Sequence, residues 1–397
     1  MDDPVISFFP EQCPKSVSNN LARMTIHHLL SMNTGHRTNI YSAVTGEKDW
    51  VRSFLSLGVE CEPGSHYSYN TPATYMLSAI LQKATDQHLM DFLMPRLFEP
   101  LGIERPIWET CPMGIAAGGM GLSLTTGQVA KFGQMLLDKG KVDGKTVVSE
   151  AYVAMATREQ SDNRLGATEI DSAQGYGYQF HLGRRGCFRG GGAFGQLCFV
   201  APDQRLVIAA TAALSKRQSQ TLLDLIYEDI IDELNASRTV LPLNAESVDL
   251  RRRLAGMVYP VPAPQPIPDH IPSIDGLWYT LGDNPEKLRR LGFVQSGQQL
   301  EIHLLYDDRE QRVLVFDFRA PIHIRDVFVK DLANHLQEAV TYVSWIDTST
   351  LKLTLLYIET PYCVNYTIQF NDGGLDLHFH MNVSMTFKEY KVLGVLV

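Results

Sequence analysis

The stretch YPVPAPQPIPDHIP, residues 259–272, carries six prolines, and it separates two regions whose residue patterns differ in kind. Proline fixes φ near about −65° and has no N–H to donate, so neither a regular helix nor a central strand can run through such a segment. It reads as a semi-rigid linker. Upstream, helical spacing alternates with Gly-rich turns. MTIHHLLSMNTG predicts one short helix, with Thr25 as cap, Met24 stapled onto Leu29 and Gly35 at its end. Met76, Leu77, Ile80, Leu81 and Ala84 share one helical face, a further helix is expected over 89–98, and TTGQVAKFGQMLLDKG predicts another with Thr126 as cap and Gly140 as stop. LCFVAPDQRLVIAATAAL reads as two strands around a Pro-Asp turn, and SQTLLDLIYEDIIDEL as an amphipathic helix.

Downstream of the prolines helical periodicity nearly vanishes. QLEIHLLYD, RVLVFDFRA, TLKLTLLYIE, NYTIQF and LDLHFHMNVSMTF are strand-like, and Leu375, Leu377, Phe379, Met381 and Val383 alternate with polar residues as in a half-buried sheet. The expected organisation is a mixed domain over 1–245, a Pro-rich linker over 246–273, and an antiparallel β-rich domain, barrel or sandwich, over 274–397.

Charge and composition exclude several classes of function. A net charge of −9 disfavours a sequence-independent grip on nucleic acid phosphates, and Arg251-Arg252-Arg253 is better read as a solvated helix face. No run of about 18 apolar residues is present, so no membrane insertion is expected. The start, MDDPVISFFPEQCP, lacks a basic n-region and an apolar h-region; if Met1 is the true start, a cytoplasmic location is expected. The six cysteines are scattered without metal-ligand spacing and read as buried free thiols. His378-x-His380 puts two imidazoles on one strand face, but with no third ligand nearby it reads as polar alternation, and no metal is expected.

One stretch, GSHYSYNTPATYML, could hold a reactive group. Thr71 can cap a helix in which Pro72 occupies a position that needs no N–H. Tyr69 then lies two residues before the cap, near the positive end of the helix dipole, which favours a phenolate and hence a general base. On spacing alone the commoner alternative is a buried tyrosine with a hydrogen-bonded hydroxyl.

Together, DDPVISFFPE, MTIHHLLSMNTGH, PGSHYSYNTPATYMLSAILQKATDQHLMDFLMPRLFEPLGI, GGMGLSLTTGQVAKFGQMLLDKGKVDGKTVVS and FRGGGAFGQLCFVAPDQRLVIAAT resemble the serine β-lactamase and penicillin-binding-protein-like hydrolases, in particular class C β-lactamases and the related esterases and D-aminopeptidases. The resemblance spans most of residues 1–235. It implies an α/β fold, a sheet flanked by helices, with a helical lobe across the active site. It also implies an acyl-serine mechanism on an amide, lactam or ester, a small-molecule or peptide-like substrate, and no cofactor.

Residue by residue, the resemblance places Tyr69-Asn70-Thr71 at the Tyr-x-Asn motif, with Thr71 in place of the amide and Asn70 able to supply one; Ser68-Tyr69-Asn70 is a second register of Ser-x-Asn form. Gly190-Gly191-Gly192 fills the slot of the third motif, normally Lys-Thr-Gly or His-x-Gly, where a strand edge approaches substrate. The N–H of Ala193 is the implied oxyanion donor, and Arg189 a possible partner for a substrate carboxylate, an exposed strand-end charge being the alternative. Gly118-Gly119-Met120-Gly121 resembles the family's glycine-rich loop and not a phosphate cradle.

The family's nucleophile, a Ser-x-x-Lys on a helix, should precede DDPVISFFPE. The sole Ser-x-x-Lys, Ser349-Thr350-Leu351-Lys352, falls in the β-rich region and reads as a chance match. The expectation is therefore a chain that starts after its nucleophile and is inactive alone. The rival expectation is a non-catalytic binding or interaction protein that keeps the cleft.

Overall fold

The computed structural model describes residues 1–236, 245–257 and 265–397, in two compact units, Met1–Ala236 and Ser237–Val397. In the first unit the helices are α1 (Asn19–Arg23), α2 (Ile26–Leu30), α3 (Tyr41–Thr45), α4 (Trp50–Ser56), α5 (Thr71–Thr85), α6 (Leu89–Leu93), α7 (Thr126–Leu137), α8 (Glu150–Ala156), α9 (Lys216–Leu225) and α10 (Asp232–Ala236). A small hairpin, β1 (Lys141–Val142) and β2 (Lys145–Thr146), precedes a four-stranded antiparallel sheet of β3 (His181–Leu182), β4 (Phe188–Gly192), β5 (Gln196–Ala201) and β6 (Leu206–Ala210), in that order.

The sheet is covered on both faces because β5 is apolar on both. Cys198 and Val200 join Met135, Leu136, Leu137 and Val153 in one cluster, whereas Leu197, Phe199 and Ala201 pack with Leu223, Ile226, Tyr227 and Ile231 in another. The alternation is the period-2 pleat. Gly133 lets α7 lie close on the sheet: a Cβ there would sit 2.6 Å from Val207 Cγ1 and 2.9 Å from Cys198 Sγ. The long helix α5 buries Pro72, Ala73, Tyr75, Met76, Ser78, Ala79 and Ile80, and Trp50 meets Tyr75 edge-on at 5.0 Å.

Several helix ends differ from expectation by a residue or more. Asn70, not Thr71, is the N-cap of α5, and it makes no side-chain capping bond, so Pro72 falls one position later in the first turn. Thr125 rather than Thr126 caps α7, accepting from the Gln128 N–H in a capping box. Thr25 caps α2 as expected, its N–H donating to His28 Nδ1 at 3.0 Å, but the helix ends at Ser31, before Gly35, as Met32 turns to φ 57°. Helix α6 passes into a π turn, Met94–Phe98, around Pro95, which has no N–H for the normal ladder.

In the second unit, helix α11 (Ala245–Ala255) occupies the beginning of the expected linker, and Asp249 pairs there with Arg253 at 2.9 Å. Good helix formers outweigh the nearby prolines here. Residues 258–264 of that linker lie outside the described residues.

Ten strands follow: β7 (Trp278–Leu281), β8 (Leu288–Ser296), β9 (Gln299–Tyr306), β10 (Arg312–Asp317), β11 (Ile322–Val329), β12 (Asn334–Trp345), β13 (Thr350–Tyr357), β14 (Cys363–Asn371), β15 (Gly374–Met381) and β16 (Glu389–Leu396). They form one antiparallel sheet in the order β10-β9-β8-β7-β16-β15-β14-β13-β12-β11. Leu375, Leu377, Phe379, Met381 and Val383 are all buried, as their alternation predicts.

The sheet curls until its edge strands approach, and side chains rather than a ladder bridge them. Arg312 of β10 donates to Asp326 of β11 from Nε at 3.1 Å and from Nη2 at 2.6 Å, while Tyr357 Oη donates to the same carboxylate at 2.6 Å. Thr341 Oγ1 of β12 donates to the Val315 carbonyl of β10 at 2.7 Å. The pair is 9% and 5% exposed, so each charge depends on the other for its solvation. Replacing Asp326 by Ala should lower stability by about 3–5 kcal/mol, since it leaves a buried guanidinium unpaired. Denaturant unfolding of the whole chain checks this, and a loss below about 1 kcal/mol would show that the bridge is not what closes the barrel.

Candidate active site

The residues singled out from sequence come from two places, the N-terminal end of α5 and the edge of the sheet at β4. Tyr69 directly precedes the cap of α5. Its ring stacks on His181 of β3, with centroids 6.2 Å apart and planes 14° apart, and meets Tyr176 edge-on at 6.4 Å. Tyr67 lies 5.4 Å from Tyr176, and Tyr176 lies 5.0 Å from His181 at 90°. Four aromatic rings thus form one continuous surface. His181 is cross-strand to Arg189, which brings the next residue on that face, Gly191, beside it: a Cβ at Gly191 would lie 3.9 Å from His181 Cδ2. The aromatic surface and the glycine strand therefore meet at His181.

Gly190 is half-buried, while Gly191 and Gly192 are exposed at the end of β4. Ala193, also exposed, opens the turn Ala193–Gly195, in which Phe194 takes φ 63°. The Ala193 carbonyl accepts from Gln196 Nε2 at 3.3 Å, which fixes the direction of the turn. Leu214 N–H donates to the Phe194 carbonyl at 2.8 Å and ties the turn to the chain after β6.

Arg189 is not at an exposed strand end. It is 7% exposed, and its guanidinium donates to the Asp171 carbonyl at 2.7 Å and the Leu182 carbonyl at 3.3 Å. Those bonds fix the direction of its guanidinium. Behind it, Arg184 holds Asp171 from Nε at 3.1 Å and from Nη2 at 2.8 Å, and reaches Asp224 at 2.9 Å.

Asn70 and Thr71 are displaced from the roles given to them. Asn70 is fully buried, its N–H against Met32 Sδ at 3.4 Å, and neither amide atom finds a partner among the described residues. Thr71 packs against the glycine-rich loop: a Cβ on Gly119 would lie 2.9 Å from Thr71 Cγ2, and one on Gly118 would lie 2.9 Å from the Thr74 carbonyl. That loop packs closely against α5.

Burial rather than the helix dipole sets the protonation of the site. Tyr69 is 44% exposed, yet the surrounding protein desolvates its phenol and raises its pKa above the usual tyrosine value. The expected bias toward phenolate is absent, because one helix end contributes less than removal of water from a phenolate costs. Tyr67 and Tyr176 are raised as well, first by burial and then by Tyr69, with Tyr67 adding to the shift of Tyr176. Burial lowers His181 to about 3, with Arg189 adding repulsion, so the imidazole is neutral at ordinary pH. Its buried Nδ1 has no partner among the described residues. No group of three or more His, Cys, Asp or Glu suited to a metal ion occurs among the described residues.

The Ser-x-x-Lys of the second unit does not form a Ser–Lys pair. Ser349 Oγ donates to Asp347 Oδ1 at 3.1 Å, whereas Lys352 sits within β13, opposite Ser344 and Thr367. Ser349 lies in the bend that precedes β13, so no helical turn sets its hydroxyl against the lysine. Tyr67, Tyr176 and His181 were not singled out from the sequence. GYGYQFHL shows aromatic residues at alternate positions, but only the pairing of β3 with β4 turns two of these side chains toward Tyr69.

The β-lactamase family model matches residues 1–232. Penicillin-binding protein 4 of Amycolatopsis lactamdurans is 27% identical over 226 residues; the match takes in 47% of this chain and 58% of that protein, so the chain spans less than two thirds of the curated relative's length. Among solved structures, a candidate 6-aminohexanoate-dimer hydrolase from Bacillus anthracis matches with TM-score 0.50 at 18% identity, over 60% of this chain and 67% of that one. An octameric penicillin-binding protein homologue from Pyrococcus abyssi matches with TM-score 0.41 at 14% identity, over 99% and 82%. No helix among the described residues is long and apolar enough to cross a membrane.

The electrostatics of the site are open to two measurements. The unfolded chain binds a proton at His181 near pH 6.5 and the folded chain only near 3, so stability is unaffected above that window and falls as pH drops through it, by up to about 1.4 kcal/mol per pH unit. Denaturant unfolding at pH 7 and pH 5 should show a smaller difference in His181→Phe than in the parent; equal differences would contradict a neutral buried imidazole. In an ultraviolet titration, Tyr69→Phe should leave the tyrosinate signal below pH 10 unchanged, and loss of an early-titrating tyrosine would restore the phenolate picture.

Proposed function

Since the chain belongs to the β-lactamase family, we propose that its first unit carries the substrate cleft of a serine hydrolase that acts on an amide, lactam or ester through an acyl-serine intermediate. The observation that carries this reading is the meeting of Tyr69 with the glycine strand: Tyr69 stacks on His181, and Gly191 lies against the same imidazole. An acyl group placed against that strand would have the Ala193 N–H as a donor to its developing oxyanion and the Tyr69 hydroxyl beside it. Because Tyr69 is protonated at rest, its role is to give a proton to a leaving group, or to pass one along, rather than to abstract one unaided.

The same reading assigns these 397 residues a cleft without an attacking group. Ser349 lies in the bend before β13, hydrogen-bonded to Asp347, while Lys352 is within that strand, and the full sequence contains no second Ser-x-x-Lys. A lone serine is a weak nucleophile without a base one helical turn away. A second reading, a binding protein that keeps the family cleft, is favoured by the glycines where the third motif has a lysine or histidine, and by an Arg189 bound to two carbonyls.

Incubation with a fluorescent penicillin or a fluorophosphonate tests the first reading. No serine of this chain should be acylated above the level of the unfolded protein. A labelled serine located by mass spectrometry in the folded chain would refute the absence of a nucleophile. Labelling abolished by Tyr69→Phe would in addition assign Tyr69 to the catalytic step.

A further inference from the structure

The hydrolase reading leaves selectivity open, and an inference about it rests on that reading's placement of substrate at Tyr69. Tyr67, Tyr69, Tyr176 and His181 present ring surfaces to one another over centroid distances of 5.0–6.4 Å. None of the four is charged at neutral pH, since burial raises the three phenols and lowers the imidazole. The cation that bears electrostatically on Tyr67 and His181 is Arg189, and its guanidinium is already committed to the carbonyls of Asp171 and Leu182. Gly191, on the same face of β4, adds no side chain. Its φ is not in the left-handed region and a Cβ there would meet only His181 Cδ2 at 3.9 Å, so neither the backbone nor packing demands glycine at this position.

A carboxylate entering such a site loses water, and the cation that acts on these rings, Arg189, is buried with N–H groups on two carbonyls, while the faces of aromatic rings carry negative charge density. A flat, uncharged group finds edge-on and offset ring partners and tyrosine hydroxyls that can donate to a carbonyl. We propose that the cleft selects neutral acyl compounds bearing an aromatic or other flat apolar group, and rejects the corresponding carboxylates. An open position at Gly191 gives the flat group room against the His181 ring.

Equilibrium binding of N-phenylacetylglycine methyl ester and of N-phenylacetylglycine to the whole 397-residue chain tests this, by calorimetry or ligand-observed NMR at neutral pH. The ester should bind about tenfold or more tightly than the acid. Gly191→Lys, which sets an ammonium over the floor of the cleft, should reduce or reverse that ratio, and Gly191→Trp should abolish ester binding by filling the floor. If the acid binds the unsubstituted chain as well as the ester does, and Gly191→Trp still blocks both, the selectivity is overturned while the cleft reading stands. If the ester binds undiminished to a folded Gly191→Trp chain, the ligand sits elsewhere and the placement of substrate at Tyr69 falls with the inference. Failure of the unsubstituted chain to bind either compound overturns the inference as well. The ester-to-acid ratio in the unsubstituted chain stands without any variant.

Discussion

Strand β5 is apolar on both faces, and the placing of His181 against the glycine strand depends on that burial. Leu197, Phe199 and Ala201 face one layer of helices, and Cys198 and Val200 the other. A strand fixed on both sides cannot slip by one residue without exposing one of these sets. Its register with β4, Gly190 opposite Cys198 and Gly191 opposite Leu197, is therefore pinned, and the pairing of β4 with β3 in turn fixes His181 beside Gly191. The juxtaposition of His181 and Gly191 is a consequence of a core that lies mostly behind it.

The same burial decides the chemistry. A helix N-terminus favours negative charge by a modest amount, whereas removing water from a phenolate, an imidazolium or a guanidinium costs more. Tyr69 keeps its proton, His181 stays neutral, and Arg189 is accommodated by donating to main-chain carbonyls. An aromatic, uncharged cluster around Tyr69 results from residues that, seen singly, could each have carried charge.

The second unit solves a different problem with related means. Its ten-stranded sheet has two edges, and exposed edges invite pairing with other chains. Here the edges are drawn together by the Arg312–Asp326 pair and by Thr341, so closure depends on a few side chains where a ladder would use many main-chain bonds. Phe328 stacked on Tyr357 at 4.5 Å packs against that bridge and excludes water from it.

The sequence by itself determined the elements and the family. Hydrophobic periodicity located α5, α7, the β5–β6 hairpin and the alternating strands of the second unit, because burial on one face leaves a local trace with a fixed period. By resemblance, Gly190-Gly191-Gly192 marked a strand edge and the Tyr69 segment a place for a reactive group. Helix caps were misjudged by one residue at Asn70 and Thr125, since two adjacent polar residues each satisfy the local rule. What only the tertiary structure decided was which groups face one another and how much water they keep. Arg189 was legible as a cation, but its turn toward two carbonyls, the burial of Asn70 against Met32, and the stacking of His181 on Tyr69 all join segments that are separate in the chain. Solvation is a property of that packed environment, so no local pattern in the chain encodes it.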